Sequence, residues 1–331
     1  MQKYKRQFLG AAIAALTAVT FTGQAQAQNY PERDVTAVIQ WGAGGGTDVA
    51  MRGYAPYAEE ALGKKIILQN KPGAAGAIGL QHVLAAPEGA ELVLGTDSDV
   101  VLAPLFNPEL KYRPGQFRLL SVLGSAPMAL IARHGFDAAR LQRLVAGDAG
   151  GDGDLRLASY GIGSNAHLLA DDFARRLALR WLHVPYRGFA PMLQDLMGGT
   201  VDAAFVPFTA GVPDLVRSGK LQLLGVAASH RRADAPQIPT FEELGLHGFV
   251  HRSWSALFVP AAAGAGTATS LRAAAMATTS DAEVRRQLAA IGLADLPLAS
   301  AEAAQGFLDA EVARYRSLLS ALHAQQRMQA P

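Results

Sequence analysis

Val35-Thr36-Ala37-Val38-Ile39-Gln40 running into Trp41-Gly42-Ala43-Gly44-Gly45-Gly46-Thr47-Asp48 decides the fold. A short β-branched apolar run reads as a strand, and a glycine run directly behind it reads as a turn into a helix, which the pattern carries to about Leu62. Pro56 inside that helix predicts a kink or an early end. Outward from this unit the same order repeats. Lys65 to Gln69 reads as a strand, Asn70-Lys71-Pro72-Gly73 as a turn, Gly76 to Ala86 as a helix, and Glu91 to Gly95 as a strand entering Thr96-Asp97-Ser98. Strand alternating with helix predicts a mostly parallel sheet with helices on its faces.

After an apolar stretch at Phe117 to Ile131 the alternation restarts. It gives helices at Asp137–Val145, Asn165–Leu179 and Phe189–Met197, with strands at Leu155–Ser159, Trp181–Val184, Val201–Val206 and Leu221–Ala227. Asp148 to Asp154 reads as an exposed connection within this second block, and Ser229 to Thr240 as a polar, proline-containing one. Ser253–Pro260 as a strand and Ala268–Ala277, Asp281–Ile291 and Ser300–His323 as helices complete the chain. Two similar blocks predict two lobes.

Composition bounds the function. The chain has 331 residues, half of them hydrophobic and 18% charged, which supports packed cores and excludes intrinsic disorder. It has no cysteine, so disulfides, thiol nucleophiles and thiolate zinc sites are excluded. Lys3, Lys5 and Arg6, the apolar run Phe8 to Phe21 and Ala25-Gln26-Ala27 have the form of a cleavable secretory leader over residues 1–27. The apolar run is short of the ~20 residues a membrane span needs. The leader holds three of the 30 Lys and Arg and none of the 28 Asp and Glu, so the exported chain carries one net negative charge. With no basic run, nucleic acid is discounted as a partner, and the expected location is the periplasm.

The glycine run before the first helix is a place where backbone N–H groups and a helix N-terminus can meet an anion. It departs from the dinucleotide fingerprint, because Thr47 stands at the third glycine position, and it lacks the ending of a P-loop. The bland alternative is a tight turn capped by Thr47 or Asp48. Ser159-Tyr160-Gly161-Ile162-Gly163-Ser164-Asn165-Ala166-His167 repeats the arrangement in the second block. Two such loops across a cleft suit a molecule with a carboxylate at each end. Charge-assisted bonds contribute ~1.5–3 kcal/mol apiece, and micromolar binding needs about 8 kcal/mol net. His167 reads first as a structural histidine that pins its loop.

Enzyme readings fare poorly. No Gly-x-Ser-x-Gly elbow surrounds Ser159 or Ser164. His247 and His251 are four apart without the glutamate of a zinc protease, which reads as a surface coincidence. Asp171-Asp172 and Glu242-Glu243 are adjacent pairs and read as solvated faces.

In order and spacing these segments resemble the extracytoplasmic receptors of tripartite tricarboxylate transporters, the Bug family. The resemblance rests on Tyr30-Pro31, Gly44-Gly45-Gly46-Thr47-Asp48, Asn70-Lys71-Pro72-Gly73-Ala74-Ala75-Gly76, Ile78-Gly79, Ser159-Tyr160-Gly161-Ile162-Gly163-Ser164 and His167-Leu168. It continues through His183-Val184-Pro185-Tyr186-Arg187-Gly188, Gly198-Gly199-Thr200-Val201-Asp202, Ser218-Gly219-Lys220-Leu221, Ile238-Pro239-Thr240, Glu243-Leu244-Gly245 and Ser253-Trp254. Gln40-Trp41 stands where the family usually has Pro-Phe, Glu88-Gly89-Ala90-Glu91 where it usually has Asp-Gly-Tyr-Thr, and Asp171 where it usually has glutamate.

The resemblance implies a two-lobed α/β periplasmic binding protein fold of type II, with mostly parallel or mixed sheets and two crossover strands as hinge. Lobe 1 would comprise residues 28–125 and 245–331, and lobe 2 residues 126–244. It implies a non-enzymatic receptor for a small organic anion, a di- or tricarboxylate or an acidic amino acid, delivered by a monomer to inner-membrane permease subunits. Contacts carried over by the resemblance are Ala43, Gly44, Gly45, Thr47, Thr96, Ser98, Ser159, Gly163, Ser164, His167, Tyr186 and Gly188, with no metal and no cofactor. The rival readings are a sensory receptor of the same fold serving a sensor kinase, a periplasmic hydrolase or isomerase using His167 with Ser164, and a scaffold that binds no solute.

Overall fold

A strand of apolar residues on both faces is stable only between two neighbours, and β1 (Val35–Ile39) lies between β2 (Ile66–Asn70) and β3 (Leu92–Thr96), parallel to both. The computed structural model of the chain describes residues 31, 33–86, 91–147, 154–209, 211–233 and 235–329, with side chains to Leu322. The expected leader, Glu88-Gly89-Ala90 and most of the Asp148–Asp154 connection lie outside the described residues.

Helix α1 (Gly46–Leu62) joins β1 to β2 and closes on Gly63, whose φ of 64° places it in the left-handed region favoured after a helix end. It does not stop at Pro56. The carbonyl of Arg52, which the proline leaves without its N–H, is on the exposed side, where water can replace the bond. Tyr54, Ala55 and Ala58 hold the opposite side in the core. Helix α2 (Ala77–Ala85) returns the chain from β2 to β3, and a π-helical turn at Asp97–Leu102 leads from β3 into the short α3 (Ala103–Phe106).

The apolar stretch at Phe117, to which alternation alone gives no element, is one strand of 17 residues, β4 (Phe117–Arg133). From Phe117 to Pro127 it pairs antiparallel with β9 (Arg252–Pro260). From Met128 onward it pairs antiparallel with both β7 (Ala203–Pro207) and β8 (Leu221–Ala227). Beyond β7, β5 (Leu155–Ser159) and β6 (Trp181–Pro185) complete the order β2-β1-β3-β9-β4-β7-β5-β6, with β8 on the other edge of β4. β5 is parallel to β6 and to β7. The sheet is therefore mixed, with parallel flanks joined through antiparallel strands at its middle. Where β8 gives way to β9, His251 N donates to Ala227 O and Met128 N to His251 O, both at 2.9 Å.

Side-chain alternation along the strands fills four apolar clusters. Val35, Ala37 and Ile39 face a cluster under α1, α8 (Ala265–Ser280) and α9 (Ala282–Ala290). Val38 faces another with Trp254, Phe258 and the long α10 (Ala301–Gln329). Further along β4, Met128, Leu130 and Ala132 face one side, toward α5 (Asn165–Arg176), while Ala129 and Ile131 face the side of α6 (Phe189–Met197) and α7 (Val212–Arg217). α4 (Ala138–Val145) begins at Asp137, whose carboxylate caps it. α5 ends at Arg176, short of the expected Leu179, where Ala178 turns to a φ of 48°.

Phe173, Phe205, Phe241 and Phe249 meet with ring centroids 5.0–6.1 Å apart, all fully buried. Phe241 and Phe249 belong to the connection between β8 and β9, so this cluster pins it to the sheet. Phe249→Ala is expected to destabilise the protein by about 3–5 kcal/mol in urea unfolding. A loss below about 1 kcal/mol would show that the ring does not anchor the connection.

Candidate functional site

β1 and β3 run opposite to β5 and β6, so the carboxyl ends of the two pairs point toward each other near the middle of β4 and bring four turns together, the kind of place where open α/β sheets offer a crevice. The turn after β1 is held from within. Asp48, 2% exposed, accepts from Gly44 N at 2.9 Å, from Arg52 Nε at 2.9 Å and from Asn70 Nδ2 at 2.9 Å. Asn70 Nδ2 also donates to Trp41 O. Burial pushes the Asp48 carboxyl up, but the bonds from Arg52, Gly44 and Asn70 outweigh it and hold the group below its usual value. Gly45 caps α1 in an extended conformation with no side-chain bond to the first turn. Ala43 and Gly44 are exposed, Gly45 and Thr47 half-buried.

The turn after β5 is built on Ser164, whose Oγ accepts from His167 N at 3.3 Å and donates to Gly161 O at 2.7 Å. Gly163 has a φ of 79° and donates its N–H to His167 Nδ1 at 3.3 Å. An Nδ1 that accepts leaves the proton on Nε2, so His167 is neutral here. Its ring stacks on His183 at 4.0 Å and meets Phe106 edge-on at 5.1 Å. Burial, then the neighbouring His183, push His167 down to about 4, and burial lowers His183 as well. Ser159 Oγ bonds to His183 Nε2 at 2.8 Å and to Gly161 O at 3.2 Å. Tyr186 donates its N–H to Ser159 O and its hydroxyl to Asp195, and Gly188 begins α6 with no side-chain cap and open space at its Cβ.

Between these turns lies the buried Asp97–Leu102 turn. Asp99 accepts from Gln40 Nε2 at 2.7 Å, Trp41 Nε1 at 3.0 Å, Thr96 N at 2.9 Å and Thr96 Oγ1. Burial pushes its carboxyl up to about 7 against those bonds. The turns of the two blocks touch: Trp41 meets Tyr160 edge-on at 5.6 Å, and Asn165 N donates to Ser98 Oγ at 2.9 Å. A Cβ at Gly161 would come within 3.3 Å of Ala75 and one at Gly46 within 2.9 Å of Thr209 Oγ1, so glycine permits the close approach.

The twelve expected residues thus fall where the facing turns meet; Gly44, Gly163 and His167 bond within their own loops, and the other nine divide into two kinds. Thr96, Ser98, Ser159, Ser164 and Tyr186 spend their hydroxyls on protein partners. Ala43 is exposed and Thr47 and Gly188 are half-buried, while Gly45 donates its N–H to Gly42 O and accepts from Val49 N. Residues that sequence reasoning missed are Gln40, Trp41, Asp97, Asp99, Phe106, Asn165 and His183. Asp97 and His183 stood inside quoted motifs, but nothing in their spacing marked them as partners of Asn165 and Ser159. The adjacent acids also sort differently from expectation: Asp172 is fully buried between Arg175, Arg176 and His251, because its side of α5 faces the core. His251 is buried with it, while His247 stays exposed beside Glu242.

The family model described as "Tripartite tricarboxylate transporter family receptor" matches residues 50–323. The chain belongs to that family. Among solved structures, the periplasmic binding protein BugD is 28% identical, with a TM-score of 0.80 over 89% of this chain and 99% of that one. MatC from Rhodopseudomonas palustris, with bound malate, is 30% identical with a TM-score of 0.78 over 87% and 99%. Rpa4515 of the same organism, with adipate, is 26% identical with a TM-score of 0.80 over 89% and 98%. The chain therefore has the two-lobed fold of periplasmic binding proteins, and it is a solute-binding receptor of the Bug type and not an enzyme. Ser164 and His167 agree with this, since each turns its side chain to the backbone of its own loop. Family membership implies an extracytoplasmic location, and among the described residues no helix is long and apolar enough to cross a membrane.

A histidine whose folded pKa lies below its unfolded value of ~6.5 stabilises the fold above that value, and the contribution is lost as pH falls through the folded pKa. Asp99, raised to about 7, contributes in the opposite direction over this range, so the expectation is comparative: between about pH 6.5 and pH 4 the parent should lose melting temperature relative to His167→Asn. Equal slopes for the two proteins would show that His167 is not held neutral by its surroundings.

Proposed function

We propose that this receptor closes over a small dicarboxylate between the loop at residues 41–47, the loop at residues 160–167 and the turn at residues 186–189. It then delivers the solute to a membrane transporter of the tripartite tricarboxylate type. The observation that carries the reading is the start of α1, which no side chain caps and where Gly46 and Thr47 are half-exposed, while Gly44 N and Gly45 N are bonded to Asp48 and to Gly42 O. Unpaired N–H groups at a helix start favour negative charge, and glycine lets a carboxylate approach the main chain. Each histidine at the site is neutral, so charge compensation falls to amides, hydroxyls and water.

The relatives with malate and adipate support a dicarboxylate of about this size. The change of partner along β4, from β9 to β7 and β8, and the return from β8 to β9 support two crossings between lobes. Lobe 1 would then be discontinuous, and hinge motion at the crossings would open and close the site. Export would follow cleavage of the leader at residues 1–27.

The test is a thermal-shift panel of malate, adipate, citrate, aspartate and uncharged analogues. A ligand at 100 times its Kd adds about 2.7 kcal/mol of apparent stability, which corresponds to several degrees. The dianions are expected to shift the melting temperature and the uncharged analogues to leave it unchanged; equal shifts for both would overturn the charge preference. Gly45→Asp then locates the site. Gly45 has a φ of −75° that any residue adopts, and Asp is a favourable helix cap, so the variant is expected to fold. Its carboxylate occupies the place of the ligand's, and the response to dianions should vanish. An undiminished response would remove the first loop from the site.

A further inference from the structure

Asn165, the first residue of α5 and 1% exposed, joins the turns of the two blocks through several atoms at once. Its main-chain N–H donates to Ser98 Oγ at 2.9 Å and its Nδ2 to Asp97 Oδ2 at 3.2 Å. Its Oδ1 accepts from the Tyr160 hydroxyl, which fixes which way the amide faces. Asp97 is fully buried and otherwise accepts from Ser253 Oγ at 2.6 Å and from the Tyr315 hydroxyl, both neutral donors of its own half of the sheet. The carboxylate therefore stands before the start of α5, where a helix favours negative charge. None of these bonds passes through Ala43, Gly45, Thr47 or Gly188.

We propose that Asn165 is a positioning residue that latches α5 of one half onto the Asp97–Ser98 turn of the other, so that closure is partly stabilised before any ligand binds. The latch deepens the receptor reading, and its consequence for affinity rests on that reading; the contact itself needs only the two halves. A second consequence is that the anion place at the start of α5 is filled by the protein's own carboxylate, which leaves the α1 side to take the guest's charge. Parting the halves leaves Asp97 without its only donor from α5 and Ser98 without the N–H it accepts. Affinity then depends on the fraction of molecules in the closed arrangement, since an open population lowers it in proportion.

The chain has no cysteine, so Ile67→Cys and Leu182→Cys can be spin-labelled selectively. These residues are 48% and 54% exposed, on β2 and β6 at opposite ends of the sheet. Distances are measured by pulsed electron resonance, without ligand, on four backgrounds: the parent, Asn165→Ala, Asn165→Asp and Asn165→Asp with Asp97→Asn. The parent should populate a short distance. Asn165→Ala should reduce that population, and Asn165→Asp should reduce it further by setting two carboxylates against each other. The double variant restores a donor opposite an acceptor and should return the short distance. Circular dichroism shows that each variant is folded. Identical distributions in the parent, the alanine and the aspartate variants, or no recovery in the double variant, would overturn the latch. Titration with malate adds a separate reading: a ten-fold or greater weakening in Asn165→Asp, recovered in the double variant, is expected. Failure of malate to bind any of the four would count against malate as ligand and leave the distance result to decide the latch.

Discussion

β4 has to satisfy hydrogen bonds in two environments along one uninterrupted strand, and the arrangement of the molecule follows from that demand. Its first eleven residues are paired by β9, and from Met128 its remaining six are paired by β7 and β8 on both edges. Register shifts at Leu119/Ser121 and Val122/Gly124 let it bend while it stays paired with β9. At Gly124, with a φ of 158°, a Cβ would strike Ala294 O at 2.8 Å, so only glycine allows the chain after α9 to pass this close. The parallel flanks run in opposite directions, and this one shared strand sets their strand-to-helix turns facing each other.

Where these turns meet, the protein uses carboxylates to build loops and leaves few of them for anything else. Asp48 orders the first turn, Asp99 gathers Gln40, Trp41 and Thr96, and Asp97 reaches the second block. Buried acids without a matching cation are costly. Each of these is met by several neutral donors, with Arg52 added only at Asp48. The outcome is a set of turns fixed by internal bonds, those of the Gly44 and Gly45 amides to Asp48 and Gly42 O included. On the proposed reading, charge is met through the main chain more than through cationic side chains, which would leave little trace in the sequence of which carboxylate is taken.

The alternation of strand and helix was legible because β1, β3 and β5 are short and mostly apolar, and their boundaries fall within a residue or two of expectation. The long strand at Phe117 was not, since a mostly apolar run with few polar residues has no clear period to read and its partners lie far away in sequence. Asp172 and His251 misled for a related reason: their burial depends on which side of α5 faces the sheet, and adjacent acids look solvated in a linear reading. The two glycine loops were legible as a pair. The partnership of Asp97 with Asn165, or of Ser159 with His183, was not, because each is made only when separate turns meet.

Trp41 carries a further consequence. Its indole is bonded to Asp99 within its own half while its edge rests on Tyr160 of the other, and it is half-buried where Trp254 is fully enclosed. Separation of the halves would wet one side of that indole and leave the enclosed one dry. Under the proposed hinge motion Trp41 would serve as a built-in optical reporter beside the half-buried Trp181 and the enclosed Trp254, its emission reddening on opening and returning to the blue on closure.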